Sequence, residues 1–213
     1  AQRERRWLAA DEGRGQLLRR ATLLVVGYGS IGREVARLAA AFSMRVVAVN
    51  TSGTRRQSAE RFVERGAGDP EGLIPERVAP VDELPGLAPA ADFVVCCLPA
   101  TPRTTHLVDA RLLELLPAHA WVVNVGRPNA IDVAALRAAL DGGTIGGAAL
   151  DVVDQEPLRD HDPLWSAPRL VITPHVAGRG ARWDVFTDLA AENLRRYCER
   201  RRLLNVVDLE AGY

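Results

Sequence analysis

Two hydrophobic periods alternate along this chain. Short, mostly apolar runs occur at residues 23–26 (LLVV), 45–50 (RVVAVN), 92–98 (DFVVCCL), 120–125 (AWVVNV), 145–152 (IGGAALDV) and 170–173 (LVIT). Their length and β-branched content predict buried strands. Between them the spacing changes to that of helices. Ile31, Val35, Leu38, Ala39 and Phe42 recur at helical intervals, and residues 57–65, 109–116, 131–140 and 181–202 read as further helices. Pro117 stops one of these, while Asp132 near the start of another and Gly142-Gly143 beyond its end fit capping preferences. The charged segment 1–20 predicts a surface helix whose apolar members are Trp7, Leu8, Leu17 and Leu18. On so charged a segment, Trp7 is either a core anchor or the cover of a partner subunit. Residues 57–89, punctuated by Gly66, Gly68, Pro70, Pro75, Pro80 and Pro85 among others, read as connection rather than chemistry. Strands alternating with helices imply an α/β fold with a doubly wound parallel sheet.

The first run is followed at once by Gly27-Tyr28-Gly29-Ser30-Ile31-Gly32, a G-x-G-x-x-G turn between a strand and a helix. In that context the pattern is a Rossmann dinucleotide-binding fingerprint. Gly27 allows the tight turn, Gly29 lets the backbone approach a pyrophosphate, and Gly32 lets helix and strand pack closely. The helix amides, aided by the positive end of the dipole, would face the phosphates. The second strand ends at Asn50, where an NAD-specific domain usually places a carboxylate on the ribose hydroxyls. Here Thr51, Ser52 and Thr54 supply hydroxyls, and Arg55 and Arg56 supply charge. Without the carboxylate there is no repulsion against a 2′-phosphate, which arginine can hold bidentately. NAD(P) is therefore the expected cofactor, with NADP(H) favoured. The alternative reading of this stretch is a solvated turn with surface arginines.

Composition narrows the picture. The 27 basic and 27 acidic residues balance, which argues against nucleic acid or a membrane surface as partner. Every basic residue is arginine, so lysine nucleophiles and Schiff bases are excluded. Cys96, Cys97 and Cys198 have neither metal-ligand nor disulfide spacing, which predicts no metal and a reducing, cytoplasmic setting. No apolar run approaches bilayer-spanning length, and the first residues have no signal-peptide pattern.

In open parallel sheets ligands bind beyond the carboxyl ends of the strands. Arg127, Asp151, Glu156 and His175 each follow a predicted strand, so the topology gathers them on one rim. A histidine can exchange a proton with a substrate oxygen near neutral pH. A carboxylate on its other nitrogen fixes the tautomer, and an arginine fork suits a substrate carboxylate. Taken singly, each residue also reads as a salt bridge, a turn or a cap. His106, His119 and His161 lack such company.

The ordered motifs VGYGSIGREVARLAAAFSMRV, LPATPRTTHLVD, VVNVGR, GGAALDVVDQEPL, DPLW and VITPHVAG resemble those of the D-isomer-specific 2-hydroxyacid dehydrogenases, which include glyoxylate/hydroxypyruvate reductases and phosphoglycerate dehydrogenase. The resemblance implies that Arg127 binds the substrate carboxylate and carbonyl, His175 is the acid/base, and Glu156 its partner. It implies that Asp151 holds the nicotinamide carboxamide, that Tyr28, Ser30 and Ile31 touch the pyrophosphate, and that Leu98, Val125 and Gly126 line the cofactor cleft. Pro99, Thr104, Ala177 and Gly178, in the same motifs, fall on the cofactor side. Formate dehydrogenases look different, with Gln in place of Glu156. One departure is Pro128, where the family usually has Gly, and a reshaped Arg127 loop is expected there. The other is the family's N-terminal substrate-domain segment, which has no counterpart ahead of Trp7. Residues 1–202 are thus expected to form the NAD(P)-binding domain, with 203–213 a tail returning toward the substrate domain. The resemblance further implies a homodimer through the cofactor domain, with Trp7 and Trp121 as anchors. It implies an oxidoreductase acting on a small 2-hydroxy or 2-keto acid, or its cofactor-binding portion. The alternative is a catalytically weak or inactive nucleotide-binding interaction module.

Overall fold

The computed structural model describes residues 5, 7, 15–178, 180 and 183–210. Seven strands, β1 (Thr22–Val26), β2 (Arg45–Asn50), β3 (Arg77–Pro80), β4 (Phe93–Cys96), β5 (Trp121–Asn124), β6 (Gly147–Leu150) and β7 (Leu170–Ile172), form one sheet in the order β3-β2-β1-β4-β5-β6-β7. Every pairing is parallel. The helices are α1 (Ser30–Ala41), α2 (Leu84–Leu87), α3 (Ala110–Leu115), α4 (Val133–Gly142) and α5 (Trp183–Cys198). Strand order reverses between β1 and β4, so a crevice opens there at the carboxyl edge.

Both faces of the sheet are covered, which is why its strands are apolar throughout rather than alternating. Leu24 and Val26 face the larger core with Leu112, Leu113, Leu136 and Leu140 of α3 and α4. Each fully buried leucine there stabilises the fold by about 1.5–3 kcal/mol. Leu23 and Val25 face the opposite core beneath Ala36 and Ala39 of α1. Asp109 and Asp132 cap α3 and α4, accepting from the amides of Leu112 and Ala135, and Gly143 ends α4 in the left-handed conformation.

Several expectations need correction. Helix α1 buries Gly32, Arg33, Ala36 and Ala39, while Ile31, Leu38 and Phe42 face outward. Ala36 and Ala39 pack on Leu23 and Val25 of β1, a close approach that Gly32 begins, so the large apolar stripe lies on the other side. Residues 57–65 are not helical: isolated turns such as Arg61 N–H to Ser58 O replace the helical ladder. Strand β3 was not foreseen, being short and framed by Pro75 and Pro80. As an edge strand it tolerates that terminal proline. Of the segment 1–20, residues 1–4, 6 and 8–14 lie outside the described residues, and 15–20 are not helical. The predicted last helix loses Ala181 and Arg182 to the same limit and ends at Cys198. Beyond it, Leu204 is buried, and Asn205 accepts from the Phe62 amide and donates its own to the Glu60 carbonyl. The described start of the tail is thus held by the loop at residues 58–62.

Candidate active site and cofactor cleft

The fingerprint turn is built by close approach. Gly27 has φ +100°, and a Cβ there would lie 2.7 Å from the Cys97 carbonyl oxygen. A Cβ on Gly32 would overlap the Gly27 carbonyl oxygen. At Gly29 it would meet nothing within 4 Å, so the space over the start of α1 is open. That helix start has neither a side-chain cap nor an acid in its first turn. Amides without a capping side chain, beside a glycine facing open space, fit a pyrophosphate. Ser30 and Ile31 are exposed at this edge. Tyr28 is different: its ring is buried at 3% exposure and its hydroxyl donates to Asp69, so only its backbone can face the phosphates.

At the tip of β2 the Asn50 side chain accepts from the amides of Ser52 and Gly53 and donates to the Thr54 carbonyl. It therefore shapes the turn that presents Thr51, Ser52 and Thr54. Arg55 donates to the carbonyls of Gly72, Pro75 and Glu76, which ties its guanidinium to the loop. Arg56 pairs with Glu71 at 2.7 Å. Both arginines that the sequence offers to a 2′-phosphate thus have partners within the chain.

Across the switch point, Leu98 lies between the two glycine turns, and a Cβ on Gly126 would sit 2.6 Å from the Leu98 amide nitrogen. Thr104 ties this loop together, its hydroxyl lying 2.7 Å from the Pro99 carbonyl and accepting from the Thr101 amide. Buried Asn124, 1% exposed, ends β5; its Oδ1 accepts from the Gly126 amide and its Nδ2 donates to the Arg127 carbonyl. The exposed Arg127 side chain therefore projects from a backbone fixed beneath it. Pro128 starts a 3-10 turn, where a missing amide donor costs nothing, and Arg127 holds the extended conformation a following proline favours. Pro128 therefore fits its place in this loop without strain on Arg127.

Asp151, 6% exposed, accepts from the Thr173 hydroxyl and from the amides of Val176 and Ala177, and its carbonyl accepts from the His175 amide. Burial pushes its carboxyl up, but these donors outweigh it and hold the group below the usual aspartate range. The structure thus gives Asp151 a first task that the sequence did not disclose: it builds the turn carrying His175, which has φ +52°. His175 Nδ1 lies 2.7 Å from Glu156 Oε2, and that contact keeps Glu156 below the usual carboxylate range. An ionised Glu156 accepts, so Nδ1 donates and Nε2 remains for proton exchange. Ile31, Val35, Val125, Arg127, Asp151, His175, Ala177 and Gly178 line one cleft of about 540 Å³.

Asn124 escaped the sequence reading, although a lone amide in the run AWVVNV was its signal. A second pair, His119 Nε2 and Asp92 Oδ1 at 2.7 Å, was also missed. Both residues precede strands and pin the amino edge of the sheet, away from the cleft. Cys96 and Cys97 are strand and core residues, and burial pushes the Cys97 thiol up to about 12. Among the described residues no group of three or more His, Cys, Asp or Glu is placed to hold a metal ion, and no helix is long and apolar enough to cross a membrane.

Comparison with known proteins agrees with this geometry. Residues 1–177 match the profile of the D-isomer specific 2-hydroxyacid dehydrogenase, NAD binding domain. A glyoxylate reductase of Thermococcus onnurineus is 37% identical over 175 residues, 81% of this chain and 47% of the relative. A D-isomer specific 2-hydroxyacid dehydrogenase from Xanthobacter autotrophicus Py2, solved with NADPH and MES, superposes with a TM-score of 0.78 at 32% identity, covering 100% of this chain and 79% of that one. A family protein from Aeromonas salmonicida gives 0.77 at 36% identity, covering 97% and 60%. The chain spans about half the length of the curated relatives it matches. By fold, fingerprint and profile, the chain belongs to the D-isomer specific 2-hydroxyacid dehydrogenase family and carries its NAD-binding domain.

Proposed function

We propose that this chain is the cofactor-binding and acid–base half of a reductase that interconverts small 2-keto and 2-hydroxy acids with NADP(H). The observation that carries the reading is the shared cleft of Arg127 and His175, beside the fingerprint turn, with Glu156 behind the imidazole. Bound nicotinamide supplies or accepts the hydride at the substrate's C2. His175 Nε2 gives a proton to the substrate oxygen as the carbonyl is reduced and takes one back in the reverse direction. Glu156 holds the ring in the donating tautomer and stabilises the imidazolium. The Arg127 fork binds the substrate carboxylate and orients the keto group. Ser30, Ile31 and the amides at the α1 start would hold the pyrophosphate, and Val125, Ala177 and Gly178 would line the nicotinamide side. Asp151 would reach the carboxamide with the one lone pair, on Oδ2, that its own turn leaves open.

Preference for NADP(H) is supported by Asn50 in place of an acid and by the exposed hydroxyls of Ser52 and Thr54. The Xanthobacter autotrophicus relative, solved with NADPH, supports it as well. A homodimer through this domain is supported by the outward apolar faces of α1 and α5 and by exposed Trp7. Trp121 does not serve as an anchor in this reading, because its ring is half-buried against Gly147. Three free thiols support a cytoplasmic setting. The test is NADPH oxidation with glyoxylate and hydroxypyruvate, compared with NADH at equal concentration. Keto-acid-dependent oxidation preferring NADPH is expected; oxidation indifferent to the keto acid would overturn the reading.

A further inference from the structure

Between β2 and β3 the chain runs through residues 51–76 with neither helix nor strand. So long an excursion in a compact domain needs another organiser. Its interior is polar: Arg33, Asp69 and Tyr28 are only 2%, 6% and 3% exposed. Arg33 Nη1 donates to the Asp69 carbonyl at 2.6 Å and Nη2 to the Arg55 carbonyl at 2.8 Å. Its guanidinium also lies 4.2 Å from the centre of the Tyr28 ring. Tyr28 donates to Asp69 Oδ2 at 2.5 Å, and the same carboxylate accepts from the amides of Leu73 and Ile74. Glu34 adds an acceptor for the Gly68 amide at 2.6 Å. Arg33 Nε is buried without a partner, a cost that an apolar side chain of similar length would avoid. What arginine provides in return is two fixed anchors on the excursion.

We propose that Arg33, Asp69 and Tyr28 are positioning residues that clamp segment 51–76 against the first turns of α1, and so build the wall that receives the adenosine half of the cofactor. The inference rests on the NADP(H) reading above. Its placement follows from the sheet: Arg127 and His175 occupy the β5–β7 side of the switch point, so the other half of a dinucleotide extends over β2 and β3. Two clamp residues also bracket the fingerprint, Tyr28 inside it and Arg33 directly after Gly32. From the excursion, Gln57 Nε2 reaches to 3.4 Å from the Ser30 hydroxyl. With no carboxylate at the end of β2 to grip the ribose, the wall is set by a buried polar core instead.

The test compares wild type, Tyr28→Phe and Arg33→Met in titrations with NADPH, adenosine 2′,5′-bisphosphate and reduced nicotinamide mononucleotide, with thermal melting alongside. Arg33→Met is expected to weaken NADPH and the bisphosphate by about tenfold or more, and Tyr28→Phe to act in the same direction less strongly. The mononucleotide should stay within about twofold of wild type in both. Tyr28→Phe removes one hydroxyl and decides the matter alone should Arg33→Met fail to fold. Folded variants that bind the bisphosphate like wild type would overturn the clamp, and so would equal losses for both half-cofactors, the mark of general loosening. Wild type that binds neither NADPH nor either half would overturn the underlying cofactor reading, and the clamp with it.

Discussion

In the proposed reaction His175 and Asn124 separate doing chemistry from positioning it. Replacing His175 by Ala removes the proton carrier but no cofactor contact, so keto-acid turnover should fall by about 10²–10⁴-fold while NADPH affinity holds. Steady-state kinetics beside a fluorescence titration checks this, and wild-type turnover would contradict it. Asn124→Ala instead leaves the Gly126 amide and the Arg127 carbonyl without partners in a buried place. It should cost about 1–3 kcal/mol of stability and raise the keto-acid KM more than it lowers kcat, because the Arg127 backbone loses its support. Asn124→Asp keeps the acceptor and loses the donor, so it should fall between the two. An unchanged KM in the alanine variant would remove Asn124 from the positioning role. The grouping of Arg127, Glu156 and His175 was legible because each follows a strand on the same edge of the sheet. The hydrogen bonds through Asp151 and Asn124 were not, because they depend on which backbone amides a carboxylate and an amide meet once the strands align.

Among the elements, the glycine turn and α1 form the joint most sensitive to a single methyl group. A Gly32→Ala Cβ would overlap the Gly27 carbonyl oxygen, so the turn must open or the helix shift. Overpacking of this kind typically costs about 1–3 kcal/mol. Cofactor affinity should fall sharply while far-UV circular dichroism still shows an α/β fold; unimpaired binding would contradict the account. Carboxylates pin other element ends. Burial pushes Asp69, Asp92 and Asp151 upward, but their donors outweigh it and leave each below the ordinary aspartate range. A depressed folded-state value contributes stability that is complete above the unfolded value, near pH 4, and is lost as pH falls through the lower folded values. Thermal melting should therefore be level near neutrality and decline steeply below about pH 4. Asp92→Asn should flatten that decline, and a wild-type melting temperature constant down to about pH 3 would refute the assignment. Strands of strong apolar character were readable to within a residue or two. Residues 57–65 were misread as a helix because buried side chains, not periodicity, order that segment.

For the whole molecule, the sheet order places the fingerprint and the acid–base trio on one carboxyl edge, and the alternation of strands and helices was enough to foresee that. The outward faces were harder to foresee. Helix α5 buries none of its residues, and Trp183, Phe186, Leu194 and Tyr197 are exposed along it, as are Leu38 on α1 and Phe42 at its end. Helical spacing predicts such stripes but does not say which covers the domain's own core. Contiguous exposed apolar side chains of this kind mark interaction surfaces, so sedimentation at micromolar protein should show association, and a strict monomer would contradict the proposed homodimer. Every role proposed above depends on cofactor capture by this chain. Titrating NADPH into the 213-residue protein and following its fluorescence measures that capture. Saturable binding at one site, kept in His175→Ala and lost in Gly32→Ala, is the predicted result; no saturation in wild type, or binding indifferent to Gly32, would contradict it.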